Sequence, residues 1–298
     1  MDQKTKTLLT SALIFIGLGL LVIFQTQSLG KLRLVFCDVG QGDGILVISP
    51  AGKQIVVDGG PGSKIGDCLS QKMPFWDRTI EMVVLTHPER DHLEGLLEVL
   101  ARYKVEMIVT TGIKNDTELF SAWQKAVKAE GAKIYTPKAG DRLVLDSNRG
   151  LTPNIDVLWP SSEKLELWKL AGLSETNESS IVLRINYGPF NPPTGGGGFC
   201  AYLTGDLPKE SLQPLINKPC QVLKVSHHGS KTGTNQEIIN AVSPAVAIIQ
   251  VGKNSFGHPQ KEVLELLQSK GVKILRNDTN GNIEVMTDGS SYQIKIQR

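Results

Sequence analysis

The chain has 298 residues, enough for one large domain or two small ones, and its 40% hydrophobic and 21% charged residues exclude a disordered protein. A formal net charge of +2 excludes a protein that holds nucleic acid mainly by overall charge, while leaving room for a local basic patch. None of the four cysteines, Cys37, Cys68, Cys200 and Cys220, forms a C-x-x-C pair, which argues against a Cys-rich zinc site. Buried free thiols are the expected state, with disulfides as the alternative for a domain outside the cytoplasm.

Lys4 and Lys6 precede an uncharged run from Leu8 to Phe24. That run sits at the lower edge of the roughly 17–25 residues a membrane-spanning helix needs. It is longer than the signal-peptide core of about 7–15 residues, and Gln25-Thr26-Gln27-Ser28 offers no A-x-A cleavage site. Residues 1–30 are therefore predicted to be a single-pass membrane anchor, and residues 31–298 one globular domain. Lys4 and Lys6 favour a cytoplasmic N-terminus and an extracytoplasmic domain, although Lys31 and Arg33 flank the other side.

Beyond the anchor, Leu32–Cys37, Gly44–Ile48 and Gln54–Val57 read as short strands, and Met82–Leu85 as a buried one. Leu93–Tyr103 has helical periodicity, and a second helix is predicted from an Asp116 N-cap to about Ala129, closed by Gly131. The second half alternates in the same way. Strands are predicted at Ile181–Tyr187, Phe199–Leu203, Val222–Val225, Val246–Val251 and near Val272–Leu275, and a helix over Gln260–Ser269. Ile283–Met286 and Tyr292–Ile296 end the chain as a hairpin, and Gly188–Gly198 is predicted to be a hairpin loop. Two halves of strands and helices imply an α/β (α+β) fold of two packed sheets with helices outside.

The chemistry concentrates in three blocks. Thr86-His87-Pro88-Glu89-Arg90-Asp91-His92 follows the buried strand and gathers two imidazoles and up to two carboxylates, a donor set suited to Zn²⁺, Mn²⁺ or Fe²⁺. Tyr202-Leu203-Thr204-Gly205-Asp206 is an apolar strand ending in an aspartate, and Leu223–Ser230 is a strand ending in His227-His228-Gly229-Ser230. Four of the five histidines fall in these blocks.

The pattern H-x-E-x-D-H resembles the H-x-H-x-D-H signature of metallo-β-lactamase-fold hydrolases, with Glu89 in place of the middle histidine. Asp38-Val39-Gly40-Gln41-Gly42-Asp43, Val57-Asp58-Gly59-Gly60, the three blocks and Gly257-His258-Pro259 make a linear set. In that order they resemble the soluble hydrolase domain of the ComEC family of DNA-uptake competence proteins, from about Leu32 to Ile296. The resemblance implies an αββα sandwich, a centre of two divalent ions (Zn or Mn), and hydrolysis of a phosphodiester or nucleic acid by metal-activated water. It assigns His87, Glu89, Asp91, His92, Asp206, His227 and His228 to the metals, with Asp206 bridging. Of the histidine pair, His227 is the first choice because it ends the strand. Asp38, Asp43, Asp58, Asn177 and Ser180 are expected to orient ligands, Lys224, Ser230 and Lys231 to meet substrate, and His258 to assist the leaving oxygen alongside a catalytic Asp91. Departures are the lack of any histidine between His92 and His227, and Asn177, Ser179 and Ser180 where a better ligand is common.

Blander readings accompany each of these. Asp91 can cap the helix beginning near His92, Glu89 can be solvated, Asp38, Asp43, Asp58 and Asp206 can be turn residues, His258 a surface histidine, and the lysines solvated. At the level of function, a hydrolase for a small ester, lactone or phosphocholine substrate stands as an alternative, as does a non-enzymatic DNA-binding membrane module with a degenerate site.

Overall fold

A computed structural model describes residues 3–26, 30–145, 152–171, 176–188 and 198–297. The first half supplies β1 (Leu32–Phe36), β2 (Gly44–Ile48), β3 (Gln54–Gly59), β4 (Thr79–Leu85), β5 (Lys104–Thr110) and β6 (Lys133–Tyr135). The second supplies β7 (Arg142–Leu143), β8 (Asn154–Trp159), β9 (Val182–Tyr187), β10 (Phe199–Leu203), β11 (Val222–Lys224), β12 (Val246–Ile249) and β13 (Lys273–Arg276). The closing hairpin, β14 (Asn282–Thr287) and β15 (Tyr292–Gln297), returns to the first sheet. Among the described residues the sheets run β15-β14-β1-β2-β3-β4-β5-β6 and β13-β12-β11-β10-β9-β8-β7.

Strand alternation explains why the sheets stack. On β1, Leu32, Leu34 and Phe36 enter the core between the sheets, where they meet Ile185, Leu203 and Ile248 from the second. Val35 and Cys37 point the other way, under the helices. Both faces of each sheet are therefore covered, and each large apolar side chain so buried contributes about 1.5–3 kcal/mol. The helices α1 (Gln3–Thr26), α2 (Lys64–Lys72), α3 (Arg90–Arg102) and α4 (Glu118–Glu130) come from the first half. Of these, α2, α3 and α4 cover the first sheet through Leu69, Leu96 and Trp123. The second sheet is covered by α5 (Ser162–Ala171), α6 (Lys209–Leu212), α7 (Gln236–Val242) and α8 (Lys261–Ser269), through Trp168, Leu212, Ile239 and Leu267. The result is an αββα sandwich.

Several local expectations shift. Thr117, not Asp116, caps α4, its side chain accepting from the Phe120 N–H, while Gly131 closes that helix in the left-handed conformation (φ 69°) as expected. The strands flanking the glycine-rich segment pair antiparallel, Tyr187 opposite Phe199, but residues 189–197 of the expected loop lie outside the described residues.

The cysteines are paired, which corrects the expectation of free thiols. Cys37 at the end of β1 bonds Cys68 of α2, and Cys200 of β10 bonds Cys220 just before β11. Partners 31 and 20 residues apart are brought to Cα separations of 5.9 and 4.8 Å, within bonding reach. In the chain-entropy account each loop closure stabilises by about 3–4 kcal/mol.

Helix α1 contains the Leu8–Phe24 run, and its Leu13, Ile14 and Phe15 side chains are exposed. Among the described residues no helix is long and apolar enough to cross a membrane. The expected span falls partly on positions 9, 18 and 20–26, whose side chains lie outside the described residues.

Candidate metal centre

Parallel pairs within each sheet, β3 with β4 and β10 with β11, aim their C-terminal ends at one edge of the sandwich. Asp58 is the penultimate residue of β3, His87 lies two residues beyond β4, Asp206 three beyond β10, and His227-His228 sit in a tight turn after β11. Asp91 and His92 occupy the first turn of α3. That helix lies directly on β3: a Cβ on Gly95 would fall 2.0 Å from the Gly59 carbonyl oxygen, so only glycine permits the approach. The Gly95 N–H donates to the Gly60 carbonyl at 2.8 Å, which fixes the start of α3 against the cluster.

The resulting group is compact and nearly dry. His87, His92, Asp206 and His228 are each at most 2% exposed. Asp206 Oδ2 lies 3.2 Å from His228 Nε2, 3.4 Å from His92 Nε2 and 3.9 Å from His227 Nε2, and His228 Nε2 is 3.2 Å from Asp91 Oδ2. Sets with ligand atoms close enough to share a cation include His87/His92/Asp206 and Asp91/His92/His228.

Partners behind the rings set which nitrogen faces inward. Asp58 Oδ2 holds His92 Nδ1 at 2.8 Å and the Gln250 carbonyl accepts from His228 Nδ1 at 2.8 Å. Thr86 and Ser180 hydroxyls lie 3.1 and 3.3 Å from His87 Nδ1. All three Nε2 atoms are buried without an aligned hydrogen-bond partner. Three buried ring nitrogens that converge beside two carboxylates, none of them in an aligned hydrogen bond, fit a divalent cation centre.

Backbone strain gathers at the same place. Among the described residues four non-glycine residues have positive φ, and three of them are Asp58 (58°), His227 (51°) and His228 (52°). Each costs about 1–3 kcal/mol, a cost usually found at functional sites. The left-handed pair also decides which histidine turns inward: His228 is buried, while the His227 side chain is 26% exposed at the rim. The order of preference expected from strand position is thus reversed in space.

Charge compensation is extensive. Burial alone would raise Asp206, but His228, His92 and Lys224 outweigh it and hold its pKa well below the usual carboxylate value. Burial likewise opposes charge on His92 and His228, and Asp206, with further carboxylates, raises both well above the ordinary 6.5. His87 is the contrast: burial and the His92 charge push it down to about 3, so it stays neutral. In the metal-free protein, the stability from His92 and His228 is complete below 6.5 and is lost as pH rises through their raised folded values. Denaturation of chelator-treated protein should therefore give a lower stability at pH 9 than at 6.5. Metal affinity should rise over that range as protons are displaced. A metal-free stability that climbs across the range would overturn this account.

The remaining expected residues fall in several places. Asp43 joins the cluster 3.4 Å from His228 Nδ1 and forms an ion pair with Lys224. Lys224, expected to meet substrate, is fully buried instead, donating from Nζ to the Gly205 carbonyl at 2.7 Å and lying 3.4 Å from Asp206 Oδ1. Ser180 is drawn in, accepting from the Asp206 N–H at 3.1 Å. Glu89 is turned aside: it takes the N-cap position of α3 without capping it, and its carboxylate accepts from Thr176. Asp91 lies within α3 and is not its cap.

Asn177 keeps a buried Oδ1 without a partner, and its backbone carbonyl accepts from the Ser180 N–H. Asp38 is tied through its N–H to Asn282, outside the cluster. Ser230 is buried and bonds Thr232, whose hydroxyl lies 3.3 Å from His227 Nδ1. Lys231 is exposed at the rim, and His258 is half-buried with its ring 5.5 Å from that of His227. Sequence reasoning missed Thr86, which joins Asp58 to His87, and Gln250, whose side chain also donates to the Gly44 carbonyl at 2.9 Å. The available signal was position: each polar residue ends an apolar strand run.

No protein-family model matches the chain. ComE operon protein 3 of Bacillus subtilis is 30% identical over 281 residues, which cover 87% of this chain and 33% of that protein. Competence protein ComA of Neisseria gonorrhoeae is 33% identical over 116 residues, 37% of this chain and 16% of that protein. The chain thus spans at most about a third of the length of these two relatives. Among solved structures, the metallo-β-lactamase fold protein YhfI from Bacillus subtilis superposes with a TM-score of 0.50 at 13% identity, covering 89% of this chain and 99% of that one. With its two sheets, its outer helices and its histidine–aspartate cluster at the strand ends, the chain has the metallo-β-lactamase fold and is ComEC-like over the part of the competence proteins that it matches.

Proposed function

We propose that this protein is a metal-dependent hydrolase of phosphodiester bonds, acting on nucleic acid and foremost on single-stranded DNA. The observation that carries the metal dependence is the convergence of three buried Nε2 atoms, none in an aligned hydrogen bond, on Asp206 and Asp91. The competence-type relatives favour nucleic acid as the substrate.

In this reading Asp91, His92, His228 and Asp206 would hold one divalent ion, and His87 with Asp206 would hold a second, either Zn or Mn. Such ions supply Lewis acidity and make water nucleophilic near neutral pH. Asp58 and the Gln250 carbonyl keep the His92 and His228 rings oriented toward the centre. Lys224 balances Asp43 and Asp206 from behind. Burial and the neighbouring His227 lower the pKa of His258, so it is neutral at pH 7 and offers a hydrogen bond to a phosphate or leaving oxygen.

The two disulfides suit a domain in an oxidising compartment, and the exposed apolar side chains of α1 suit an anchor that leaves the domain outside the cytoplasm. The full chain should then stay with membranes after a high-salt wash with its N-terminal residues intact. A soluble form beginning near Ser28 would count against the anchor. Metal-loaded protein should cut single-stranded DNA, and a chelator should abolish cutting. If it cleaves neither DNA, RNA nor a generic phosphodiester, the proposal fails, and turnover of small esters in the same assay would replace it.

A further inference from the structure

The metal cluster opens to solvent on one side. Of its carboxylate and imidazole groups, Asp91 and His227 have side chains 31% and 26% exposed, while His92, His228 and Asp206 have at most 3%. The ring of His258 lies 5.5 Å from His227, and the ring of Phe256 lies 5.8 Å from His258 at an interplanar angle of 31°. Phe256 is 68% exposed.

Single exposed apolar residues are common and need no explanation by themselves. This one differs in how it is held. Asn254 Oδ1 accepts from both the Phe256 and His258 N–H groups at 3.0 Å, and its Nδ2 donates to the Gly252 and His258 carbonyls at 2.9 and 2.8 Å. At the base of the loop Gly252 lies against the Gly40–Gln41 backbone, where a Cβ would meet the Gly40 carbonyl carbon at 2.4 Å. One asparagine and one backbone contact thus hold a large aromatic ring out in water at the mouth of the cluster. Exposed Lys253 belongs to the same loop, and exposed Lys231 donates its N–H to Gln260 Oε1, two residues beyond His258. Among the described residues, the exposed aromatic pair Phe75 and Trp76 precedes β4 and so lies at the end opposite His87.

We propose that Phe256, backed by His258, is a platform on which one base of a single-stranded nucleic acid stacks while the neighbouring phosphate enters the cluster. Stacking suits a sequence-tolerant grip, because every base has a π-face, and it disfavours a duplex, whose bases are already stacked. The inference rests on the nucleic-acid reading above and deepens it: it names Phe256 as the residue that grips the single strand, and an intact base beside the scissile phosphate as what it requires.

The test uses the full chain with an oligonucleotide carrying 2-aminopurine. The parent and Phe256→Trp should quench the probe in the presence of chelator, and Phe256→Ala should not. With metal, Phe256→Ala should raise KM for single-stranded DNA by about 5- to 150-fold, with the loss in KM rather than kcat and with parental metal content. Replacing the stacked base by an abasic site should erase the difference between parent and variant. If the parent cuts single-stranded DNA and Phe256→Ala binds and cuts it equally well, the platform is wrong while the nuclease reading stands. If the parent neither binds nor cuts any nucleic acid, both fall.

Discussion

Asp206→Asn should lose at least one bound metal and most turnover while the domain still folds. The side chain faces two ways: Oδ1 toward Lys224 at 3.4 Å, Oδ2 toward His228 and His92 at 3.2 and 3.4 Å. A carboxylate between two cations offsets their repulsion and fixes their spacing, which in two-metal sites is about 3.5–4 Å. Asparagine keeps the shape and the backbone bond to Ser180 but removes the negative charge. Its loss should exceed the roughly 10–100-fold that follows removal of a ligand's hydrogen-bond partner. Glu89→Gln, on a side chain already held by Thr176, should stay within that smaller range. Metal analysis of the purified variants beside a cleavage assay decides the matter. If Asp206→Asn holds two metals and turns over like the parent, Asp206 is only a turn residue.

Lys224→Met should be the most destabilising single change at the site. The ammonium is fully buried, ion-paired with Asp43 and close to Asp206, and those carboxylates offset its desolvation. Removing one partner leaves buried negative charge uncompensated, a loss of about 3–5 kcal/mol. At roughly 2–4 °C per kcal/mol for a domain of this size, the melting temperature of the metal-free protein should fall by about 6–20 °C. Divalent metal should recover part of that, because added positive charge partly replaces the lysine. The double variant Asp43→Asn/Lys224→Met should lose less than the sum of the single losses. It also serves if the single variant does not accumulate. A solvated lysine would give a change near zero and an additive pair, and that outcome would reject the buried network.

Much of this protein was legible in its sequence because it depends on local pattern. Alternating apolar residues such as Leu32, Leu34 and Phe36 mark a strand with two covered faces, whatever packs on them. The strand-then-polar order at His87, Asp206 and His227-His228 pointed to the sheet edge at which these side chains gather. Three things required the tertiary structure. Lys224 at the end of an apolar strand reads as a solvated rim residue, and only the approach of Asp43, 181 positions away, makes a buried ammonium tolerable. The choice between His227 and His228 turns on two consecutive left-handed residues, a backbone state that side-chain identity does not announce. The pairing of Cys37 with Cys68, and of Cys200 with Cys220, depends on which elements pack side by side. Each is a long-range contact, and its free energy comes from desolvation, close approach or loop closure, none of which has a local sequence period.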